Sequence, residues 1–348
     1  LSAFIRVDPR LKSDEMDMTE QKKHRLALIG ARGYTGRELL GLLAAHPGID
    51  LALAASNAQA GQLIADEVPN WPQAEQTFIA LAPEQIGQID ADVWVLAVPN
   101  GQSAPWVQAI EADHPDALIV DLGADFRFDP DWVYGLTEFN RPALKSARRI
   151  SNPGCYATGA QFGLLPLRDR LIGPPVIFGV SGHSGAGRTP STRNNPERLR
   201  DNLIPYALTG HVHEQEISAH LGRPVRFHPH VAAFFRGISL TIAVELGETT
   251  STESLLAEFR ACYDGEPLVR VQADVPEIAN LSPRAGIRIG GFSPDPRNAQ
   301  RASFVVVLDN LLKGAASQAM QNINLALGLD ELTAIDSTER VKAEGAEQ

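Results

Sequence analysis

Cysteine is scarce in this sequence, whose 348 residues contain only two, Cys155 and Cys262. A disulfide scaffold is excluded, because such domains depend on several paired cysteines. No apolar run reaches the length of about 18 residues that a membrane span needs. The N-terminus lacks a basic start followed by an apolar stretch, so no secretory signal is predicted. These absences predict a cytoplasmic protein with reduced thiols and no membrane contact.

Basic charge is also in short supply. Lys and Arg number 31 against 42 Asp and Glu, which gives a net charge of −11. A general nucleic-acid binder needs a basic face, so that class of protein is excluded. Hydrophobic residues make up 44% and charged residues 21%, a globular balance that excludes disorder throughout. At roughly 150 residues per domain, the length predicts two domains.

Short apolar segments alternate with helical segments over residues 24–152, which is typical of βαβ units. We therefore predict an α/β fold whose first domain is a Rossmann-type, doubly wound parallel sheet. Residues 153–310 change to an α+β pattern and are expected to form the catalytic and dimerisation domain. A helix over 311–328 is predicted to pack back onto the first domain. Residues 1–23 are predicted to be a flexible arm, and residues 329–348 a polar tail.

A glycine-rich turn formed by Gly30, Gly33 and Gly36 separates a predicted strand from a predicted helix. Glycines at such a turn let the backbone approach a pyrophosphate, and the helix N-terminus adds free N–H groups. The spacing differs from the common G-x-G-x-x-G, so a plain strand-to-helix turn is the alternative. The candidate cofactor-binding residues of this domain are Gly30, Arg32, Gly33, Tyr34, Thr35, Gly36, Ser56 and Pro99.

The end of the second predicted strand indicates which dinucleotide binds. NAD sites carry an acidic residue there, about 20 residues after the glycines, for the ribose 2′-hydroxyl. This strand ends in Ala55, Ser56 and Asn57, without an acidic residue. Ser56 can donate to a phosphate and Arg32 lies in the glycine loop. We therefore predict NADP as the cofactor in preference to NAD.

Pro153 and Gly154 directly precede Cys155 and predict a helix that begins beside the thiol. Near the positive end of a helix dipole a thiol pKa falls, and the nucleophilic thiolate becomes available. The alternative is a small buried hydrophobe, which is the usual role of a free cysteine. We assign that role to Cys262 and predict Cys155 as the catalytic nucleophile.

Histidines are concentrated in one region, because six of the nine fall between residues 183 and 230. A thiol nucleophile needs an acid–base partner, for which histidine is the usual residue. In an extended segment, His211 and His213 would point to one side. We predict that one faces Cys155 and the other orients the substrate. A metal site that also uses His228 and His230 is the alternative, but no zinc-like set of Cys or carboxylate accompanies them, so no metal is assigned.

A second glycine-rich stretch comprises Ser184, Gly185, Ala186 and Gly187. Small residues can leave successive N–H groups free to bind an anion. We assign these four residues to the cofactor, with a flexible linker as the alternative.

Three arginines are candidates to bind a phosphate or carboxylate bidentately, namely Arg127, Arg188 and Arg236. Together with Asn152, beside the thiol, they form the predicted substrate-binding set. Each arginine alone could equally be an ordinary surface residue.

Taken together, six segments resemble the N-acetyl-gamma-glutamyl-phosphate reductase family, which are phosphorylating semialdehyde dehydrogenases of arginine biosynthesis. The resemblance covers nearly all of residues 24–330 and is specific because the segments occur in this order. The segments are GARGYTG (30–36), YGLTE (134–138), SNPGCY (151–156), SGAG (184–187), GHVH (210–213) and LDNLLKGAA (308–316).

The resemblance implies a covalent mechanism. The Cys155 thiolate attacks the carbonyl of N-acetyl-gamma-glutamyl phosphate and inorganic phosphate leaves; NADPH then supplies hydride to the thioester. His211 or His213 supplies the proton as the semialdehyde is released. The family resemblance also implies a homo-oligomer, a dimer or tetramer. Two alternatives stay open: a related dehydrogenase acting on aspartyl phosphate or a lysine-pathway acyl phosphate, and a non-catalytic nucleotide sensor on the same fold.

Overall fold

Two β-sheets organise the computed structural model, which describes residues 23–335. The first sheet contains β1 (His24–Ile29), β2 (Ile49–Ala55), β3 (Val93–Leu96), β4 (Leu118–Asp121), β5 (Val133–Tyr134) and β6 (Arg149–Ser151). All its pairings are parallel, in the order β2-β1-β3-β4-β6-β5. The strand order reverses between β1 and β3, where the ligand crevice of a doubly wound sheet opens.

Alternate residues of β1 enter two different cores, as a sheet covered on both faces requires. Leu26 and Leu28 pack with apolar residues of α1 (Tyr34–Ala44). Ala27 and Ile29 lie on the opposite face, in the core that includes residues of α2 (Ala104–Asp113). A third helix, α3 (Thr137–Leu144), follows β5. The predicted Rossmann-type architecture of the first domain is confirmed.

The second sheet has seven strands of mixed direction. They are β7 (Val176–Gly182), β8 (Leu203–Pro205), β9 (Arg226–Ala232), β10 (Ile238–Glu245), β11 (Val269–Val271), β12 (Ile287–Asp295) and β13 (Asn298–Leu308), in the order β11-β12-β13-β10-β7-β9-β8. Along β10, Ile238, Leu240, Ile242 and Val244 are buried while the residues between them are more exposed. Such an alternation is typical of a strand with one open face.

Helices cover one face of the second sheet. They are α4 (Cys155–Leu164), α6 (Val212–Leu221) and α7 (Thr252–Cys262), and the short α5 (Pro196–Leu199) lies in the loop before β8. Apolar residues of all three longer helices share one core with the strands. The helix predicted to begin beside the thiol is α4, which ends at Leu164 and is continued by a 3₁₀ turn over Leu165–Leu167.

The chain returns to the first domain after β13. The helix predicted over 311–328 consists of a π-helix, Leu312–Ala316, followed by α8 (Ser317–Ala326). Met320 and Ile323 of α8 belong to the core that contains α1. No helix within residues 23–335 is long and apolar enough to cross a bilayer.

The start of the predicted polar tail is part of the fold. Leu329 and Leu332 pack against the same core as α8, and Ile335 is buried. Residues 329–348 are polar overall, so their composition does not reveal these three apolar residues, which are spaced three positions apart. The remainder, 336–348, and all of the predicted arm except Lys23 lie outside the described residues.

A buried ion pair fixes the π-helix to α3. Lys313 is fully buried and donates to both carboxylate oxygens of Glu138, at 2.7 and 2.9 Å. Its third polar contact is the side-chain oxygen of Gln321 on α8. A charged group this deeply buried is stable only with its partners, so the pair ties three segments together.

We expect Lys313→Met to lower the free energy of unfolding by about 3–5 kcal/mol, because it leaves the Glu138 carboxylate buried without its cation. Urea unfolding measures the change. Lys23→Met is the matched control, since the Lys23–Asp50 pair is nearly half exposed and should contribute at most about 1 kcal/mol. Equal losses in the two variants would contradict this assignment.

Candidate active site

The first glycine loop forms a cradle in which two of the three glycines cannot be replaced without a clash. Gly30 has a φ of +86°, and a Cβ there would lie 2.3 Å from the carbonyl oxygen of Ala97. A Cβ at Gly36 would lie 2.7 Å from the carbonyl oxygen of Ala31. Gly33, the N-cap of α1, has no neighbour closer than 3.8 Å to the same position. The space beside the N-terminus of α1 fits a dinucleotide pyrophosphate.

The other predicted cofactor residues of the first domain lie around this cradle and differ in exposure. Tyr34 and Thr35 open α1, where the first N–H groups have no acceptor within the helix. Arg32 is exposed in the loop, and Pro99 is exposed just after β3. Ser56 directly follows β2 but is buried. All five therefore lie at the carboxyl ends of parallel strands, as a dinucleotide site requires.

The second glycine-rich stretch forms a single 3₁₀ turn. The N–H of Ser184 donates to the carbonyl of Phe235 at 2.9 Å, and the N–H of Gly187 donates to the carbonyl of Ser184 at 3.0 Å. The prediction of successive free N–H groups is therefore wrong at these two positions.

The two glycine loops approach each other across the domains. Arg188 donates to the carbonyl of Arg32 at 3.0 Å and to the carboxylate of Glu67 at 3.2 Å. The ring of Tyr34 meets the ring of Phe235 edge-on, with centroids 5.1 Å apart. Arg188 thus lies beside the cofactor cradle, whereas the sequence assigned it to the substrate.

The thiol lies at the start of a helix, as predicted. Cys155 is the first residue of α4 and is half-buried. A Cβ at the N-cap Gly154 would lie 2.2 Å from Nε2 of His213. A Cβ at Gly314 of the π-helix would lie 2.8 Å from Cβ of Cys155. Two glycines therefore let neighbouring elements close around the thiol.

Glu216 organises the residues beside the thiol, although the sequence analysis missed it. Its carboxylate is fully buried and accepts hydrogen bonds from the Gly154 N–H at 2.9 Å and the Tyr134 hydroxyl at 2.8 Å. It also pairs with Arg127 at 2.9 Å. Had the sequence been interpreted as a helix beginning at residue 212, Glu216 would have stood one turn after His213, on the same face.

The pKa of Cys155 is raised, whereas the helix start had predicted that it would be lowered. Burial raises the pKa of this thiol to about 11. The backbone N–H of Tyr156 and the charge of Arg127 oppose that increase, while the charge of Glu216 adds to it. The helix start does favour the thiolate, but loss of hydration outweighs it in the free protein. Deprotonation therefore needs a base or a change in surroundings when substrate binds.

The two histidines begin a helix instead of lying in an extended segment. His211 is the N-cap of α6, and its Nδ1 accepts the N–H of His213 at 3.1 Å. Burial lowers the pKa of His211 to about 4 and the pKa of His213 well below its usual value. Both rings are therefore neutral near pH 7. Across residues 23–335, no group of three or more His, Cys, Asp or Glu side chains is placed to hold a metal ion.

Two predicted substrate residues are built into the scaffold. Arg127 is buried, and its Nε and Nη2 donate to the carbonyls of Asn152 and Leu122 at 3.0 and 3.2 Å, besides its pair with Glu216. The buried side chain of Asn152 accepts from Asn322 at 3.2 Å. These contacts suit positioning residues better than substrate contacts.

The guanidinium of Arg236 is also already bound to protein side chains. It binds Asp309 through two hydrogen bonds of 2.6 and 2.8 Å and contacts Glu38 on α1 at 2.8 Å. The guanidinium thus joins the two domains. Its charge is already balanced by two carboxylates.

Each of the two domains matches the model of a known protein family. Residues 25–147 match the model of the semialdehyde dehydrogenase NAD-binding domain, and residues 155–310 match the semialdehyde dehydrogenase dimerisation domain. The chain is 50% identical over 310 residues to N-acetyl-gamma-glutamyl-phosphate reductase of Xanthomonas campestris, covering 89% of this chain and 98% of the relative. It is 51% identical over 310 residues to the enzyme so named from Stenotrophomonas maltophilia, covering 89% and 97%.

The chain belongs to the N-acetyl-gamma-glutamyl-phosphate reductases of the semialdehyde dehydrogenase family. It is thus an oxidoreductase with a nicotinamide-dinucleotide-binding domain. The fold also matches solved aspartate semialdehyde dehydrogenases. One, from Vibrio cholerae, has a TM-score of 0.72 at 19% identity and covers 88% of this chain and 99% of its own. Another, from Candida albicans with NADP, has a TM-score of 0.66 at 16% identity, with coverage of 88% and 99%.

Replacing Glu216 and replacing Arg127 should change the reactivity of the Cys155 thiol in opposite directions. Glu216→Gln removes a negative charge that raises the Cys155 pKa, so alkylation by iodoacetamide at pH 8 should accelerate. Arg127→Met removes a positive charge that lowers this pKa, so alkylation should slow. In the wild type, the alkylation rate should still rise with pH between 8 and 10, because the thiol pKa is about 11.

Peptide mass spectrometry of Cys155, in a Cys262→Ala background, measures these rates. Each variant breaks the same buried pair, so each controls for the loss of stability in the other. A change of the same sign in both variants would contradict the electrostatic explanation.

Proposed function

We propose that the chain reduces N-acetyl-gamma-glutamyl phosphate with NADPH to N-acetylglutamate 5-semialdehyde and phosphate, a step of arginine biosynthesis in the cytoplasm. The observation that carries the proposal is the half-buried Cys155 at the start of α4, enclosed by neutral histidines and the π-helix. The relatives that are about 50% identical are named N-acetyl-gamma-glutamyl-phosphate reductase. A non-catalytic sensor would not need such a thiol.

The first step is acyl transfer to sulfur. The Cys155 sulfur forms a bond to the acyl carbon of the acyl phosphate, and the bond from that carbon to the phosphate oxygen breaks. A neutral histidine takes the thiol proton and passes it to the departing group, so inorganic phosphate leaves as hydrogen phosphate. The N–H groups of Cys155 and Tyr156, which stabilise the thiolate, are close enough to donate to the oxyanion as well. The product is a thioester on Cys155, which divides one difficult reduction into two easier steps.

The second step is reduction of the thioester. Bound at the first glycine loop, NADPH would supply the hydride for the acyl carbon; the carbon–sulfur bond then breaks and the semialdehyde leaves. His211 or His213 supplies the proton that the cysteine sulfur takes up. Both rings are neutral at rest, so the donor first gains a proton from water and gives it up as the imidazolium. His213 is more deeply buried beside the charged Arg127, which makes its imidazolium the stronger acid.

NADP is the proposed cofactor in preference to NAD. The residues directly after β2 are Ser56 and Asn57, so the strand ends without the acidic residue that an NAD site carries there. Arg32 is exposed in the neighbouring glycine loop and can pair with that phosphate. The ratio of kcat/KM for the two cofactors tests this preference.

We expect wild-type protein to reduce NADP with N-acetylglutamate semialdehyde and phosphate far faster than with aspartate semialdehyde and phosphate. Cys155→Ser should abolish this turnover, because an alcohol is a much weaker nucleophile than a thiolate. NADP binding, followed by fluorescence titration, should be unchanged in the variant. Cys262→Ala is the control and should retain full activity. Near-normal turnover by Cys155→Ser would contradict the mechanism, and preference for aspartate semialdehyde would favour the related dehydrogenase.

A homodimer formed through the open face of the second sheet is also proposed. The helices cover only one face, and Phe178 on β7 stands 40% exposed on the other. Its partner across the strands is Thr241, also exposed, and Ala243 follows on the same face. Residues 155–310 match the dimerisation domain of the family. An exposed aromatic ring beside small residues on an open sheet face suits a surface that a second copy of the chain covers.

Phe178→Glu should convert the protein from dimer to monomer, because it introduces a charge at the centre of the proposed interface. Sedimentation velocity measures the change. Leu63→Glu is the matched control, since Leu63 is 38% exposed but lies in the first domain. Dissociation by both variants, or by neither, would contradict this interface.

A further inference from the structure

The substrate of the proposed reaction carries two anionic groups, a carboxylate and a phosphate. Such groups are usually held by a guanidinium, whose paired N–H donors match two oxygens. If the chain has the proposed function, its site therefore needs an arginine near the thiol that is free to bind such an anion.

The arginines that the sequence suggests for this purpose are already neutralised. Arg127 pairs with Glu216 at 2.9 Å and Arg188 with Glu67 at 3.2 Å. Arg236 is paired with two carboxylates. To bind a substrate anion, each would first have to lose a carboxylate partner, which cancels much of the gain.

Arg193 differs from these three in both exposure and pairing. Its side chain is exposed, and across the described residues 23–335 no carboxylate lies within ion-pair distance of it. Its guanidinium carbon lies 5.0 Å from the centroid of the Tyr206 ring. A cation held on an aromatic face keeps its N–H donors available at the edges.

Tyr206 connects Arg193 to the thiol. Its ring lies 5.6 Å from the ring of His211, between centroids. The ring of His211 in turn meets the ring of Tyr156, the residue after Cys155, edge-on, with centroids 6.5 Å apart. The charge of Arg193 lowers the pKa of His211, and the charge of Cys155 raises the pKa of Tyr206. Arg193, Tyr206, His211 and Cys155 therefore line one space.

The loop that carries Arg193 is held in place by the next residue. The side-chain oxygen of Asn194 accepts from the Ser191 N–H at 2.7 Å. Its amide nitrogen donates to the carbonyls of Gly187 and Thr189, both at 2.8 Å. The loop is thereby fastened to the end of the second glycine-rich stretch. This arrangement reduces the entropy lost when Arg193 binds an anion.

We propose that Arg193, seated on Tyr206, binds an anionic group of the acyl phosphate substrate, either its carboxylate or its phosphate. Arg193 then contacts the substrate directly, and Tyr206 is a positioning residue. The carboxylate and the phosphate present the same pair of oxygens to a guanidinium, and the kinetic experiment distinguishes them.

Steady-state kinetics with N-acetylglutamate semialdehyde, phosphate and NADP test the proposal. Arg193→Gln should raise the KM of either the semialdehyde or the phosphate roughly 10- to 100-fold, the size of one lost charge-assisted contact. The KM of NADP should stay unchanged. Arg193→Lys should give an intermediate value, because the charge remains but the planar fork is lost. Arg198→Gln, which removes the same charge from exposed α5, should match the wild type.

If only the KM of phosphate rises, Arg193 binds the phosphate group. If only the KM of the semialdehyde rises, Arg193 binds the carboxylate. Unchanged KM values for both, or an equal effect in Arg198→Gln, would overturn the proposal. Tyr206→Leu should raise the same KM as Arg193→Gln while kcat changes less, which a general loss of structure would not produce.

A second measurement separates failure of this inference from failure of the proposed function. Phosphate and N-acetylglutamate are tested separately for protection of Cys155 against iodoacetamide, which needs no turnover. Protection by one of them in the wild type, and its loss in Arg193→Gln, supports the inference even if the reductase assay fails. Equal protection in both proteins, or no protection by either compound in the wild type, overturns it.

Discussion

One buried carboxylate holds the site together. Glu216 of α6 accepts hydrogen bonds from the Gly154 N–H and the Tyr134 hydroxyl and pairs with Arg127. These partners come from the start of the nucleophile helix, from β5 and from the loop after β4. A carboxylate removed from water is stable only when its oxygens are satisfied, so each partner is held where Glu216 requires it. Thr158, one turn into α4, then donates to Gly154 and continues that helix.

The same pair sets the electrostatics of the thiol. Arg127 and Glu216 carry opposite charges and act in opposite directions on the Cys155 pKa, and burial, the largest influence, decides the result. The neighbouring histidines are neutral for the same reason. The thiol and the two histidines beside it are therefore uncharged in the resting site. A resting thiol also resists oxidation, which follows thiolate character.

Local sequence signals predicted the local structure well. The apolar β1, the glycine turn and α1 follow from patterns within twenty residues, as does the helix start at Cys155. The signals failed where the structure depends on partners distant in sequence. Arg127 and Glu216 are 89 residues apart, so nothing near Arg127 reveals that its charge is already balanced. The capping role of His211 was missed because the histidine pair was interpreted as an extended segment.

Covalent capture of the substrate by Cys155 is the step on which the rest of the mechanism depends. It is measured most directly by incubating the wild-type protein with N-acetyl-gamma-glutamyl phosphate without NADPH and mapping the adducts by peptide mass spectrometry. We expect the acyl group on the peptide that contains Cys155, none on the peptide that contains Cys262, and its release as semialdehyde when NADPH is added. An unmodified Cys155 in protein that consumes the acyl phosphate would contradict the mechanism.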